Sequence, residues 1–283
     1  MGPRSSARPY YLGMDRHDDA RERDLPARVR LPLADVEIDV LTEREAVARI
    51  VAGATSGEGG LVVTPNIDHL RQINRGSWLG SVYAEADLVV ADGMPLIWAS
   101  QLQRTPLPER VAGSHLLHSV AEAAGVAGLS IFLVGGKPGA AAETARRFQA
   151  RWPDLEVAGV LCPPMGFERL RDGIAGIADA IAEASPDIVF TGLGAPKQDY
   201  LNVALRQRVP KAWYIGVGAS FDMAAGMVQK APPWAEKAGV EWVVRLVQEP
   251  RRMARRYLVE DLPFAARLLA AAALAGSRRE VDR

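Results

Sequence analysis

Asp92 ends a short apolar run, Leu88-Val89-Val90, and is followed at once by Gly93 and then by Met94 and Pro95. A carboxylate at a strand end is held rigidly and can take a proton from a bound group. The same pair of residues also suits a turn or a helix cap. Both readings stand: Asp92 as a group pointing into a site, and Asp92 as punctuation. Three glycine-bearing turns accompany it: VGGKPG (134–139, with Gly135 and Gly136), GLGAPKQD (192–199, with Gly194) and GVGASFD (216–222). Backbone N–H groups at such turns cradle anions, helped by the dipole of a following helix. Any one of them is explained by a tight turn alone, but three together point to a phosphate-bearing ligand. Near the C-terminus, EWVVRLVQEPRRMARRY supplies Arg245, Arg251, Arg252, Arg255 and Arg256. Guanidinium groups match phosphate oxygens in pairs, so this run reads either as a clamp for a diphosphate or anionic lipid, or as a solvated face.

Several other chemistries are disfavoured. Lys137 is followed by Pro138, not by Ser or Thr, so there is no Walker loop. The strand after VGGKPG, LEVAGVLC, ends without the acid that binds a ribose in dinucleotide folds, which argues against NAD. Cys162 is the one cysteine, so a multi-thiolate metal site is excluded. The histidines are His17, His69, His115 and His118; the last two can share a helix face, but no HExxH pattern surrounds them, and they read as a surface or core pair. A net charge of zero over 283 residues gives no nucleic-acid footprint.

The elements that must position these groups alternate. GLVVTPN, ADLVVADG, LSIFLVGG, PDIVFTGLG and AWYIGVG are short apolar runs closing on Gly or a small polar residue, as strands buried on both faces do. Between them lie helical patterns: LTEREAVARIVAGA with Ala46, Ile50 and Val51 on one side, SHLLHSVAEAAG stopping at Gly125, PGAAAETARRFQARW with Pro138 in a first turn, and FERLRDGIAGIADAIAEA before Pro186. This predicts an α/β fold, a Rossmann-like and mostly parallel sheet with helices on both faces, whose loops gather along one edge where ligands bind. Pro250 divides two short helices. The following LPFAARLLAAAALAG reads two ways, packed on the domain or lying in a membrane interface. The expected organisation is a disordered tail over 1–30, the α/β core over 31–239, a C-terminal helical appendage over 240–276 and a second disordered tail over 277–283. No signal peptide is visible, and no stretch reaches the roughly 18 to 20 apolar residues of a spanning helix, so a cytoplasmic location is expected.

Taken in order, VVTPNIDHL, ADGMPLIWAS, PERVAGSHLL, FLVGGKPGAA, GLGAPKQDYL, GVGASFDMAAG, KAPPW and VEWVVRLVQEPRRMARRY resemble the WecG/TagA/CpsF glycosyltransferases, from about Val36 to Tyr257. Departures are small: Ser114 and His115 replace the commoner Thr-Asp, Asp199 replaces Glu, and Lys230 replaces Arg. The resemblance implies transfer of N-acetylmannosamine or a related sugar from a UDP-sugar donor to a polyprenyl-diphosphate-linked sugar, in cell-surface polysaccharide or wall-polymer synthesis. It implies no metal and no cofactor, in agreement with the missing D-x-D pair. It makes Asp92 the general base, puts Thr64 and Asn66 in the sugar pocket, and gives Arg110 and Gln198 contacts to sugar or phosphate. Asp222 becomes a candidate for nucleotide recognition. Arg245, Arg252 and Arg255 become neutralisers of the leaving diphosphate. With no second carboxylate evident as nucleophile, a single displacement with inversion is the simpler course. Structural alternatives stand beside these roles: Asn66 as a helix cap, Gln198 and Asp222 as loop holders, Arg110 paired with Glu109 or another acid. Alternative functions are transfer from UDP-glucose or another UDP-hexose, and a non-catalytic UDP-sugar-binding membrane adaptor. The expected partners are the donor, the lipid-linked acceptor, the inner membrane surface through the C-terminal segment, and a further copy of the chain; nucleic acid is not among them.

Overall fold

The apolar runs become strands in register, and the glycine-ended loops fall on one edge of the sheet they form. A computed structural model describes residues 26–33, 36–229, 231–232, 234–235, 239 and 241–281, apart from the side chains of 252, 280 and 281. Residues 1–25, Lys230 and Val240 lie outside the described set.

In chain order the elements are β1 (Arg28–Arg30), β2 (Glu37–Asp39), α1 (Glu43–Thr55), β3 (Gly60–Val63), α2 (Ile67–Asn74), α3 (Leu79–Ala84), β4 (Leu88–Val89), α4 (Met94–Leu102) and α5 (Gly113–Ala127). Next come β5 (Ser130–Gly135), α6 (Ala140–Arg151), β6 (Glu156–Leu161), α7 (Gly173–Ala184), β7 (Ile188–Gly192), α8 (Lys197–Arg208), β8 (Trp213–Gly216) and α9 (Ser220–Ala224). The C-terminal part comprises α10 (Glu241–Gln248), α11 (Pro250–Ala254), a π-helical stretch (Arg255–Asp261) and α12 (Leu262–Val281).

Six strands form one sheet in the order β4-β3-β8-β7-β5-β6, with every pairing parallel. Because side chains alternate along a strand, one strand feeds two cores. Val63, Val89, Phe132, Val134, Val189 and Tyr214 enter one, with side chains from α2, α3, α4, α7 and α8. Val62, Leu88, Val90, Leu133, Phe190 and Ile215 enter the other, with α1, α5, α6 and α9. The Rossmann-like reading therefore holds. After β5 the chain turns to one face with α6, and after β7 to the other with α8, so these two loops part over the sheet edge as ligand-binding crevices do.

Several local expectations are corrected. Gly125 does not end its helix: α5 runs on to Ala127 and closes on Gly128, whose φ of 67° suits glycine. Gly125 instead admits close packing, since a Cβ there would stand 3.4 Å from the Cβ of Leu155. Pro138 precedes α6, which starts at Ala140 after a left-handed Gly139. FERLRDGIAGIADAIAEA divides into a single 3-10 turn, Phe167–Arg169, and α7. The ribbon of β1 and β2 begins at Arg28, inside the segment read as a tail, with the carboxylate of Asp39 accepting from Arg28 Nε at 2.7 Å.

The apolar C-terminal run packs one side on the core, while Leu262 and Leu274 stay exposed. Phe264, Leu268 and Ala272 are buried among the residues of the first core, and Leu269 packs against them. Gly276 lies so close to the carbonyl of Leu102 that a side chain would not fit. The helix continues to Val281, through part of the 277–283 segment read as a tail, and Arg279 donates to the carbonyl of Gln103 at 3.2 Å. Its alanines let it sit tightly on α4, which burial of the leucines alone would not require.

Leu268 is fully buried, so Leu268→Ala should cost about 2–5 kcal/mol of unfolding free energy. Urea denaturation measures it. A helix with this leucine in water or lipid would lose almost nothing.

Candidate active site

Backbone pairing between β3 and β4 continues beyond the strands: Val90 N–H donates to Val63 C=O at 3.0 Å, and Asp92 N–H to Pro65 C=O at 2.8 Å. This sets Asp92 abreast of Asn66. Gly93 then takes φ 155° and ψ 135° and starts α4. A side chain disfavours that conformation strongly, which explains why glycine follows the acid. The carboxylate of Asp92 accepts the N–H of Gly113, at the start of α5, at 3.3 Å. A Cβ on Gly113 would lie 3.2 Å from the carbonyl of Gly216 and 3.5 Å from Thr64 Oγ1. Thr64 itself, buried, donates to Gly216 C=O at 3.4 Å. Asp92, Thr64, Asn66 and Gly113 are thus gathered where β3, β4 and β8 end.

Two arginines and one further acid act on the charge of Asp92. Burial raises the Asp92 carboxyl above its ordinary value; Arg110, the Gly113 N–H and Arg245 oppose the rise, and Glu241 adds to it. Arg110 is ion-paired with Glu241, at the start of α10. The alternative of an acid partner for Arg110 is correct, although the acid is Glu241 and not Glu109. Glu109 instead accepts the N–H of Glu43 at 2.7 Å.

Asn66 is the N-cap of α2, its Oδ1 accepting from Asp68 and His69 N–H at 3.0 and 3.4 Å. His69 returns the bond, its Nδ1 accepting from Asn66 N–H at 3.0 Å. Burial holds the His69 imidazole down to about 4, against the pull of Asp68 and with help from Arg256. The ring is therefore neutral at physiological pH, with Nδ1 able to accept.

Four amides of the glycine turns have partners inside the protein. Gly136 N–H is taken by Gly192 C=O at 2.7 Å, and Lys137 N–H by Asp222 Oδ1 at 3.0 Å. Gln198 Oε1 takes the N–H groups of both Gly194 and Gly218, at 3.2 and 2.9 Å. These amides are spent inside the protein. Gly135, Gly136 and Gly194 supply positive φ angles of 107°, 78° and 74°, and so loop shape. Gln198 and Asp222 are loop holders, as the structural alternative had it. Cys162, exposed, lies at this edge with Sγ 3.6 Å from Gly136 O.

The C-terminal arginines separate. Arg245 stands in the field of Asp92. Arg255 is exposed and pairs with Glu260 at 3.3 Å. The side chain of Arg252 lies outside the described residues. Arg256 is partly buried and pairs with Asp68 at 3.1 Å and Asp261 at 3.4 Å. Glu241 was missed as a site residue because its partner lies 131 residues away. Asp199 was noted only as a departure. It is buried, its carboxyl pushed up to about 7 by desolvation against its own backbone N–H, and its Oδ2 has no partner among the described residues.

An open parallel sheet with a carboxylate and two guanidinium groups at one edge is the arrangement of an α/β enzyme. The model of the Glycosyl transferase WecG/TagA/CpsF family matches residues 31–278. A relative from Bacillus spizizenii, N-acetylglucosaminyldiphosphoundecaprenol N-acetyl-beta-D-mannosaminyltransferase, is 31% identical over 198 residues, covering 70% of this chain and 75% of the relative. The chain belongs to that family and is a glycosyltransferase.

Gln198→Ala leaves two loop N–H groups without their acceptor and should lower unfolding stability by about 1–2 kcal/mol. Denaturant titration checks this; a loss within a few tenths would show that Gln198 does not hold the loops.

Proposed function

We propose that the protein transfers N-acetylmannosamine, or a closely related sugar, from a UDP-sugar to a polyprenyl-diphosphate-linked sugar, with inversion and without a metal ion. The product would enter a cell-surface polysaccharide or wall polymer. The observation that carries this reading is the partly buried Asp92 held by the Gly113 N–H beside Thr64 and Asn66 where the strands end, with the charges of Arg110 and Arg245 acting on it. The relative's name supports the acceptor class and the sugar.

The acceptor hydroxyl oxygen attacks the anomeric carbon as the bond from that carbon to the diphosphate oxygen breaks. The hydroxyl proton passes to Asp92, whose basicity is raised by its burial. The electron pair leaves with UDP, whose charge Arg110, held by Glu241, and Arg245 neutralise. Glu241, held by Arg110, is not free to act as a nucleophile, which favours one displacement over two. Arginines take the part of a cation here. Among the described residues no group of three or more His, Cys, Asp or Glu side chains is arranged to hold a metal ion. Asn66 and Thr64 line the sugar pocket, with Asn66 also capping α2. Gln198 and Asp222 act on the ligand through the loops they hold.

No described helix is long and apolar enough to cross a membrane. The exposed large apolar side chains of the appendage are Trp242, Val243, Val247, Leu258, Val259 and Leu262, with Leu274 further along α12. With Arg251 and Arg255 exposed nearby in the chain, this set supports a peripheral seat on the anionic inner membrane surface, where the acceptor lies.

Asp92→Asn should keep its fold and its UDP binding, read by calorimetry, while transfer falls about 10²- to 10⁴-fold. The ionised carboxylate is the working form, so the wild-type rate should fall with acidity, with a midpoint above the ordinary carboxylate range, and that limb should vanish in the variant. Near-normal turnover by Asp92→Asn would remove Asp92 from the base role. Val247→Glu with Val259→Glu should weaken sedimentation with anionic liposomes and leave binding of UDP unchanged; equal sedimentation would place the membrane contact elsewhere.

A further inference from the structure

A buried ionic knot joins α2 to the C-terminal appendage, outside the groups assigned to the reaction. Arg71, on α2, donates from Nε to Asp261 Oδ1 at 3.0 Å; its Nη2 bonds to Asp68 Oδ1 and lies 3.1 Å from Glu260 Oε2. Arg256 closes the ring, reaching Asp68 Oδ2 at 3.1 Å and Asp261 Oδ2 at 3.4 Å. Gln72 adds a bond to Asp68 at 3.0 Å. Arg71, Asp68 and Asp261 are all buried. Hydrophobic residues of equal volume would often bind two elements together at least as well, because charges are costly to desolvate. What charges add is register: one seating satisfies every partner, and a slipped one leaves a buried charge alone. The appendage side of the knot is built by the π-helical stretch Arg255–Asp261, whose wider turn brings Arg256, Glu260 and Asp261 onto α2 together.

Two arms run from the knot to the site. On α2, Asp68 N–H and His69 N–H are the groups capped by Asn66 Oδ1, and His69 Nδ1 holds Asn66 N–H. On the appendage, Tyr257 stands beside Arg256 and meets the ring of Trp242 edge-on at 6.2 Å. Trp242 adjoins Glu241, the partner of Arg110, and lies on the helix that carries Arg245.

We propose that Arg71, Asp68, Asp261 and Arg256 form a registering latch. Its closure sets Asn66 on one side and Glu241 and Arg245 on the other at the same time, so the latch residues are positioning residues for the transfer. The kinetic half of this proposal rests on the reading of the site given above. The structural half does not.

The test uses the full chain and four variants: Arg71→Met, Asp261→Asn, both together, and Arg71→Lys. Amide hydrogen exchange is followed by mass spectrometry without substrate, and kcat and KM are measured with a UDP-sugar and a lipid-diphosphate acceptor. In each single variant, exchange over 66–74 and over 241–248 should quicken while α6 and α7 keep wild-type protection. kcat should fall about 2- to 30-fold, the range that coupling networks show, with donor KM changed less. The double variant should be no worse than the worse single, because the ring acts as a unit. Arg71→Lys, which keeps the charge, should recover part of the loss. If Arg71→Met does not fold, Asp261→Asn, which leaves Arg71 with Asp68 and Glu260, carries the comparison alone. Faster exchange spread evenly over the sheet, faster exchange limited to 255–281 with kcat unchanged, or additive losses in the double variant would each overturn the latch. Absence of transfer by the wild type would count against the proposed reaction, while the exchange pattern would still decide the structural half.

Discussion

Hydrogen bonding between β3 and β4 carries on past the last paired side chains, through Val90 to Val63 and Asp92 to Pro65. Everything at the site depends on that register. A shift of one residue in a parallel pair turns every side chain to the opposite face. Here it would also bring Val62 and Val63, which feed different cores, into each other's places. The hydrophobic sandwich therefore fixes the position of a carboxylate that itself contributes nothing to the core. The N-terminus of α5 then meets Asp92 from above the sheet edge, through Gly113, because only a residue without a side chain can pass Gly216 C=O so closely.

The appendage is integral to this arrangement. α12 is seated by Phe264, Leu268 and Ala272 in the core beneath α4. Its approach is so close that Gly276 meets backbone. That seating leaves the apolar stripe of α10 and the π-helical stretch outward, and brings Glu241 inward to Arg110. One segment thus divides its labour by surface: Phe264, Leu268 and Ala272 anchor, acids and arginines align, and Trp242, Leu258 and the valines remain exposed.

Much of this was legible in the chain. Continuous apolar runs ending in glycine or a small polar residue marked all five strands named from them, and the Asp-Gly pair marked a strand end with an unusual backbone angle to follow. Asn66 was read both as a cap and as a pocket residue, and its cap geometry is present. What escaped shares one cause. Arg71 and Asp261 are 190 residues apart, and Arg110 and Glu241 131 apart; charged side chains carry no periodicity that announces a distant partner. Gly125 misled because a glycine near a helix end looks like a stop, whereas its reason was Leu155 on another element. The glycine turns carry a related lesson. Sequence shows which amides are geometrically able to meet an anion, but not that Asp222, Gln198 and Gly192 C=O take those of Lys137, Gly194, Gly218 and Gly136.

Cys162 follows β6 and lies exposed against the carbonyl of Gly136. As the one thiol in the sequence, it can be labelled selectively without first removing any other cysteine. A small environment-sensitive fluorophore attached there would sit on the rim formed by the loops after β5 and β6. It would sense polarity changes as that rim gains or loses an occupant. The chain thus carries, on the same sheet edge as the site, a natural attachment point for an optical reporter of occupancy.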